Sequence, residues 1–105
     1  MPRVAFQLRL RPGTIEDYEK AHQQVWPELL AKIKEVGISE YSIFRRGLDL
    51  LLVMKVADFN RAWDILDENP TNLRWQMEMS RFFEPITGLD PGERFPMMKE
   101  VFYME

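Results

Sequence analysis

The hydrophobic pattern changes its period at Pro12-Gly13, and this change constrains the fold more than any other feature of the sequence. From Val4 to Arg11, apolar and polar side chains alternate, which predicts a β-strand with one buried face. Beyond the break, apolar residues recur at steps of three and four from Ile15 to Val36, which predicts an amphipathic helix. The chain therefore starts with a strand followed by a helix.

Local signals refine the predicted first helix. Thr14 is the predicted N-cap, with Asp17 three residues later in a near-capping box. Pro27 interrupts the helix interior, so we expect a kink or a restart there, with Trp26 in extended geometry. Gly37 fits the position just beyond the helix C-terminus.

The rest of the chain supplies three more strands and two more helices. Its patterns predict strands at 38–45, 50–57 and 98–103, helices between Asp58 and Asn69 and at 72–83, and a loop at 84–96. The order β-α-β-β-α-α-β predicts an α+β, ferredoxin-like split βαβ fold with a four-stranded antiparallel sheet. The 105 residues are expected to form a single domain, 1–105.

The strands carry apolar residues on both faces. On the second predicted strand, for example, Phe44 belongs to one face and Tyr41 and Ile43 belong to the other. Since the helices cover only one face of such a sheet, we predict a homodimer in which a second copy covers the other. The long loop 84–96 is the alternative cover.

Composition excludes several partners. The formal net charge of −3 argues against nucleic acid, and no apolar run is long enough for a membrane span. The absence of a signal-type apolar segment at the N-terminus and of cysteine leads us to expect a cytoplasmic protein. One histidine and no cysteine argue against a metal site, and the acidic residues Asp64, Asp67 and Glu68 are most simply a solvated helix face.

His22 is the sole histidine, and it lies on the apolar stripe of the first helix. Spacing alone favours a hydrogen-bonded core histidine, but Tyr18 one turn earlier shifts the interpretation towards a site. Tyr41 and Trp75 add aromatic faces of the kind that match the C–H patches of sugars. Simple packing is the competing interpretation for each of these aromatic residues.

Four segments carry a family resemblance. The segment YEKAHQQVWPEL, Tyr18 to Leu29, resembles the Y-x-x-x-H-x-x-x-W-P-E-L signature of the L-rhamnose mutarotase family. The segments EYSIF at 40–44, RW at 74–75 and EVFY at 100–103 are similar to further elements of that family, in the same order. The resemblance extends from about residue 3 to 103.

The resemblance implies a dimeric α/β barrel and a cofactor-independent isomerase that interconverts the α and β anomers of a deoxy sugar. It implies that His22 is the proton donor and that Tyr18, Tyr41 and Trp75 bind the sugar. Gln76 departs from the family pattern, which typically has a second tryptophan, and we include it among the substrate-binding residues. The amide leaves L-fucose open beside L-rhamnose.

In the hypothesised mechanism, acid–base catalysis opens the ring, the C1–C2 bond rotates and the ring closes on the other carbonyl face. His22 is the expected proton carrier, and Tyr18 is a candidate for the second. Two other readings stay open: a cofactor-free monooxygenase of the dimeric α/β-barrel kind, and a non-catalytic ligand-binding module in which His22 is structural.

Overall fold

The computed structural model describes residues 2–105 and has four strands and four helices in that part of the chain. In chain order they are β1 (Arg3–Arg9), α1 (Ile15–His22), α2 (Pro27–Glu35), β2 (Ser39–Arg46), β3 (Asp49–Lys55), α3 (Phe59–Asp67), α4 (Pro70–Ser80) and β4 (Met97–Met98). The strands form one antiparallel sheet in the order β2-β3-β1-β4. This confirms the predicted ferredoxin-like topology.

The core lies between the helices and one face of the sheet. On β3, Leu50, Leu52 and Met54 are buried, and Phe6 of β1 pairs with Leu52. These strand residues pack in one cluster with Leu29, Trp63, Leu66 and Trp75 from the helices. Strand β3 is central, because β2 and β1 pair with its two edges.

The predicted interruption at Pro27 is a restart. The first helix, α1, ends at His22, and Trp26 is extended with φ −58° and ψ 130°. Pro27 then occupies the first turn of α2, where its missing N–H costs no hydrogen bond. The break leaves His22 at the C-terminal end of its helix, where its ring reaches the space beside α2.

The N-caps of α1 and α3 differ in their hydrogen bonding. Asp58 accepts a hydrogen bond from the backbone N–H of Arg61 at 3.1 Å, as an N-cap should. The predicted Thr14 cap is wrong in its bonding, because the Thr14 hydroxyl donates to the carbonyl of Arg11 at 2.7 Å. The Thr14 backbone is helical rather than extended, which turns the hydroxyl away from the first turn of α1.

The end of α2 and the start of α4 can also be compared with the predicted helix boundaries. Gly37 follows α2 with φ 94°, the left-handed conformation expected beyond a helix C-terminus. Helix α4 begins two residues before its predicted start, because Pro70 is acceptable in the first turn and Asn69 caps it by accepting from the N–H of Asn72.

The predicted final strand, 98–103, is mostly absent from the sheet. Strand β4 is only Met97–Met98, with Met98 paired to Ala5. In this register Val4 and Arg3 could pair only with Lys99 and Glu100, so residues 101–103 have no partner on β1. Instead, the Arg3 side chain lies 3.8 Å from Glu100 and 4.4 Å from the centre of the Tyr103 ring.

The loop 84–96 is confirmed as a segment without helix or strand. Its C-terminal part packs on the helix side of the sheet, where the Phe95 ring stacks on Phe6 at 4.4 Å. Arg94 bridges Asp64 and Asp67 of α3, so these acidic residues form ion pairs. The loop therefore covers the core, and the opposite sheet face remains open.

Among residues 2–105, no helix combines the length and hydropathy that a membrane crossing requires.

Candidate active site

A cavity of about 340 Å³ lies between α2, α3, α4 and strand β2. Most of its wall is apolar and is formed by Val25, Leu29, Leu30, Ile33, Ile43, Trp63, Leu66 and Trp75. Four residues add more polar side chains, namely His22, Tyr41, Asn72 and Gln76. An apolar cavity with a few converging polar groups is typical of a small-molecule site, and its volume lies within the usual range.

His22 is held in one orientation by its own helix. Its Nδ1 lies 2.9 Å from the backbone carbonyl of Tyr18, one turn earlier. A carbonyl only accepts, so Nδ1 must carry a proton, and in the neutral ring Nε2 is left with the lone pair. Burial lowers the pKa of His22, and the hydrogen bond to the Tyr18 carbonyl partly offsets this. The site therefore favours a neutral imidazole with an unprotonated Nε2.

Tyr18 lies against the His22 ring, with ring centres 4.2 Å apart and planes inclined by 27°. Phe82 and Phe83 contact the Tyr18 ring edge-on, so the tyrosine is buried and firmly packed. Burial raises the pKa of Tyr18 to about 12, so its hydroxyl stays protonated at neutral pH. The Tyr18 ring thus supports the imidazole from one turn earlier in the same helix.

Trp75 also contacts the His22 ring. The two ring centres are 5.4 Å apart at 80°, an edge-to-face arrangement. Trp26 packs edge-on against Trp75 at 5.2 Å, and the Arg74 guanidinium lies 5.7 Å from the centre of the Trp26 ring. Two separate sequence motifs therefore meet beside His22: Arg74-Trp75 and Trp26 form one cluster of edge-to-face contacts.

The structure brings four of the five predicted site residues into one cavity: His22, Tyr41, Trp75 and Gln76. Tyr18 lines a neighbouring cavity of about 370 Å³, which shares His22 and Ile43 with the first. The pKa of Tyr41 is raised well above the ordinary value, by burial first and by Tyr18 second. Both phenols are therefore neutral at physiological pH.

Sequence reasoning missed two groups near His22. Asn72 is a buried polar residue on the cavity wall, and its positions relative to Trp75 and Gln76 follow the helical spacing of three and four. That spacing could have indicated from the sequence that Asn72 shares a helix face with Trp75 and Gln76. Arg45 and Glu19 form an ion pair at 3.1 Å in the neighbouring cavity, 26 residues apart in sequence, and no local pattern predicts that contact.

Within the described residues, no group of three or more histidine, cysteine, aspartate or glutamate side chains is arranged to hold a metal ion.

Comparison with known proteins decides the family. The sequence profile of the L-rhamnose mutarotase family matches residues 3–104. The chain belongs to this family. An L-rhamnose mutarotase from Acidiphilium cryptum is 34% identical over 108 residues, covering 99% of each chain. The crystal structure of L-rhamnose mutarotase from Formosa agariphila superposes with a TM-score of 0.79 at 31% identity, covering both chains completely.

Another relative of this chain has a different sugar in its name. A protein named L-fucose mutarotase, from Xanthomonas campestris pv. campestris, is 32% identical over 109 residues and covers 97% of this chain and 87% of its own. The match to the family model and to the Formosa agariphila structure confirms both the resemblance seen in the motifs and the fold class.

Proposed function

We propose that this protein is a mutarotase that interconverts the α and β anomers of L-rhamnose. The observation that supports it best is the placement of His22, oriented by the Tyr18 carbonyl, at the wall of an aromatic cavity of suitable volume. Full-length relatives named L-rhamnose mutarotase support the same sugar. The family resemblance adds that no cofactor is needed.

In the proposed reaction, the neutral Nε2 of His22 takes the proton from the C1 hydroxyl. The freed electron pair on that oxygen forms the C1 carbonyl, the bond between C1 and the ring oxygen breaks, and the ring oxygen takes up a proton. Rotation about C1–C2 then presents the other carbonyl face. Closure by the reverse proton transfers gives the second anomer and restores the neutral imidazole.

The second proton carrier is proposed to be Tyr41. It shares the cavity with His22, and its phenol is protonated at neutral pH, so it has a proton to donate to the ring oxygen. Tyr18 is assigned the role of orienting His22, because its ring stacks on the imidazole and its carbonyl fixes Nδ1. This arrangement places the acid and the base on different elements, β2 and α1.

The cavity wall fits a 6-deoxy sugar. Trp75 offers an aromatic edge and face for sugar C–H groups, while Leu29, Ile33 and Leu66 offer apolar contacts for the C6 methyl group. L-Fucose is the second candidate substrate, favoured by the relative of that name and by the amide at Gln76.

The test is proton NMR saturation transfer between the two anomeric signals of L-rhamnose, with L-fucose in parallel. We expect protein-dependent exchange, and a loss of about 10²- to 10⁴-fold in the His22→Ala variant, the usual contribution of a general acid–base group. Gln24→Ala, an exposed position two residues along, is the matched control. Absence of exchange with either sugar would reject the function, whereas full exchange by His22→Ala would reject only the role of His22.

We also propose that the chain forms a single domain, 1–105, and works in the cytoplasm as a homodimer. The open sheet face supports the dimer: Ala5, Phe44, Leu51, Val53 and Met98 alternate with the core-facing residues of their strands. Phe44 is 60% exposed and Met98 is 50% exposed, and both line one shallow groove across the sheet. Apolar exposure of this kind fits a second copy of the chain.

A further inference from the structure

We propose that Asn72 is a specificity-determining residue, whose side-chain oxygen accepts a hydrogen bond from a sugar hydroxyl away from C1. This inference rests on the proposed function, because it concerns the sugar in the same cavity. Asn72 lies on α4, whereas the proposed acid and base lie on β2 and α1.

The Asn72 amide has a fixed orientation. The residue is 4% exposed, and its Nδ2 donates to the backbone carbonyl of Leu66 at 3.0 Å. A flipped amide would set two oxygens against each other, so Nδ2 must face Leu66 and Oδ1 must lie on the other side of the amide. The backbone N–H of Asn72 is bonded to Asn69, which holds the residue in the first turn of α4.

The Oδ1 atom has capacity for a further hydrogen bond. Its described partner is Nε2 of Gln76, at 3.5 Å, which is the long limit of a hydrogen bond. An amide oxygen accepts two hydrogen bonds, and the Gln76 side chain is exposed and can turn. A sugar hydroxyl can therefore donate to Asn72 Oδ1 while its own oxygen accepts from Gln76.

The surroundings make such a bond selective. Most of the wall of this cavity is apolar and includes Trp63, Leu66 and Trp75, so a hydroxyl that enters it has few polar partners besides the two amides. A site built to bond a hydroxyl discriminates against sugars that lack it or direct it elsewhere, because its buried polar atom then stays unpaired. 6-Deoxy sugars differ in which of their hydroxyls are axial and which are equatorial. A hydrogen bond to Asn72 would form only with a hydroxyl in the matching orientation.

The hydroxyls concerned take no part in the reaction. Mutarotation changes only C1, its oxygen and the ring oxygen, so O2, O3 and O4 contribute binding alone. Removal of a contact to one of them should raise KM and leave kcat nearly unchanged. This split separates Asn72 from His22, whose loss should lower kcat.

The experiment measures saturation transfer for L-rhamnose and for its 2-, 3- and 4-deoxy analogues, with wild type, Asn72→Leu and Gln76→Met. We expect one analogue to show a KM raised by about 2- to 10-fold in wild type, the range for one hydrogen bond. Asn72→Leu should raise the KM for L-rhamnose by a similar factor and bind that analogue no more weakly than L-rhamnose. Met77→Leu, at an exposed neighbouring position, is the control and should match wild type.

Asn72→Ser guards against a folding defect, because serine is small and polar yet too short to reach the same hydroxyl. The inference is overturned if both Asn72 variants discriminate among the analogues as wild type does, or lose kcat equally for all of them. Wild-type protein that exchanges no L-rhamnose at all would instead reject the proposed function, and the inference with it.

Discussion

At the scale of single residues, His22 shows how burial and one hydrogen bond prepare a side chain for acid–base chemistry. Its pKa is lowered by burial, and its Nδ1 proton is committed to the Tyr18 carbonyl. A surface histidine would be partly charged at neutral pH and free to rotate. The environment in the fold therefore converts an ordinary residue into an oriented base.

The titration of His22 is the first prediction at this scale. The imidazole should titrate below its ordinary value of about 6.5, and kcat/KM should fall only as the pH drops through that lower value. Because the unfolded chain takes up the proton first, folding stability should also decrease as the pH falls from about 6.5. The high phenol pKa values of Tyr18 and Tyr41 should add no loss of activity near neutral pH.

The measurement is direct, because the sequence contains one histidine and its ring protons give a single set of NMR signals. Chemical-shift titration reports the pKa, and the pH profile of exchange, corrected for the spontaneous reaction, reports the activity. A midpoint at or above 6.5 would contradict the desolvated site.

At the scale of elements, the helix starts and breaks position the site. The break before Pro27 ends α1 at His22 and starts α2, which contributes Leu29 and Ile33 to the cavity. The cap at Asp58 starts α3, which contributes Trp63 and Leu66. These elements form part of the cavity wall, whereas the Asp58 cap itself lies outside its lining.

The Asp58 cap gives the prediction at this scale. Asp58→Ala removes the acceptor for the N–H of Arg61 and should cost about 1 kcal/mol in the free energy of unfolding, with no direct effect on KM. Asp58→Asn, which retains a capping oxygen, is the matched control and should lose much less. Urea unfolding followed by circular dichroism measures both, and an equal loss in the two variants would contradict the capping role.

At the scale of the whole molecule, one sheet face is covered and the other is open. The helices and the C-terminal part of the loop 84–96 pack on the same side, and Phe44 and Met98 on the other face remain exposed. The tail is also exposed, with Val101 87% and Phe102 79% accessible. A single chain thus leaves apolar surface in two places, which is consistent with the proposed dimer.

Phe44→Lys tests the dimer. A charge on a covered apolar face should raise the dimer dissociation constant strongly, whereas in a monomer it should be nearly neutral because Phe44 is 60% exposed. Met77→Lys, at an exposed methionine on α4, is the matched control. Sedimentation velocity measures the assembly, and unchanged behaviour of Phe44→Lys, or a monomeric wild type, would contradict the proposal.

The sequence by itself determined the order of strands and helices, because alternation with period two and recurrence at three and four are local properties. It also determined the break at Pro27, the cap at Asp58 and the left-handed Gly37, since proline, aspartate and glycine act on their immediate backbone. The candidate site residues His22, Tyr18, Tyr41, Trp75 and Gln76 came from helix spacing and family motifs, and their roles stay proposals.

Only the tertiary structure decided that the predicted strand 98–103 does not form, because β1 offers no partner to residues 101–103. It also left Tyr18 outside the main cavity, and brought Arg45 to Glu19 across 26 residues. The same holds for the Asn72 amide, whose orientation depends on the carbonyl of Leu66, at the end of another helix. Distance between such groups depends on how elements pack, and packing is not a local property of the chain.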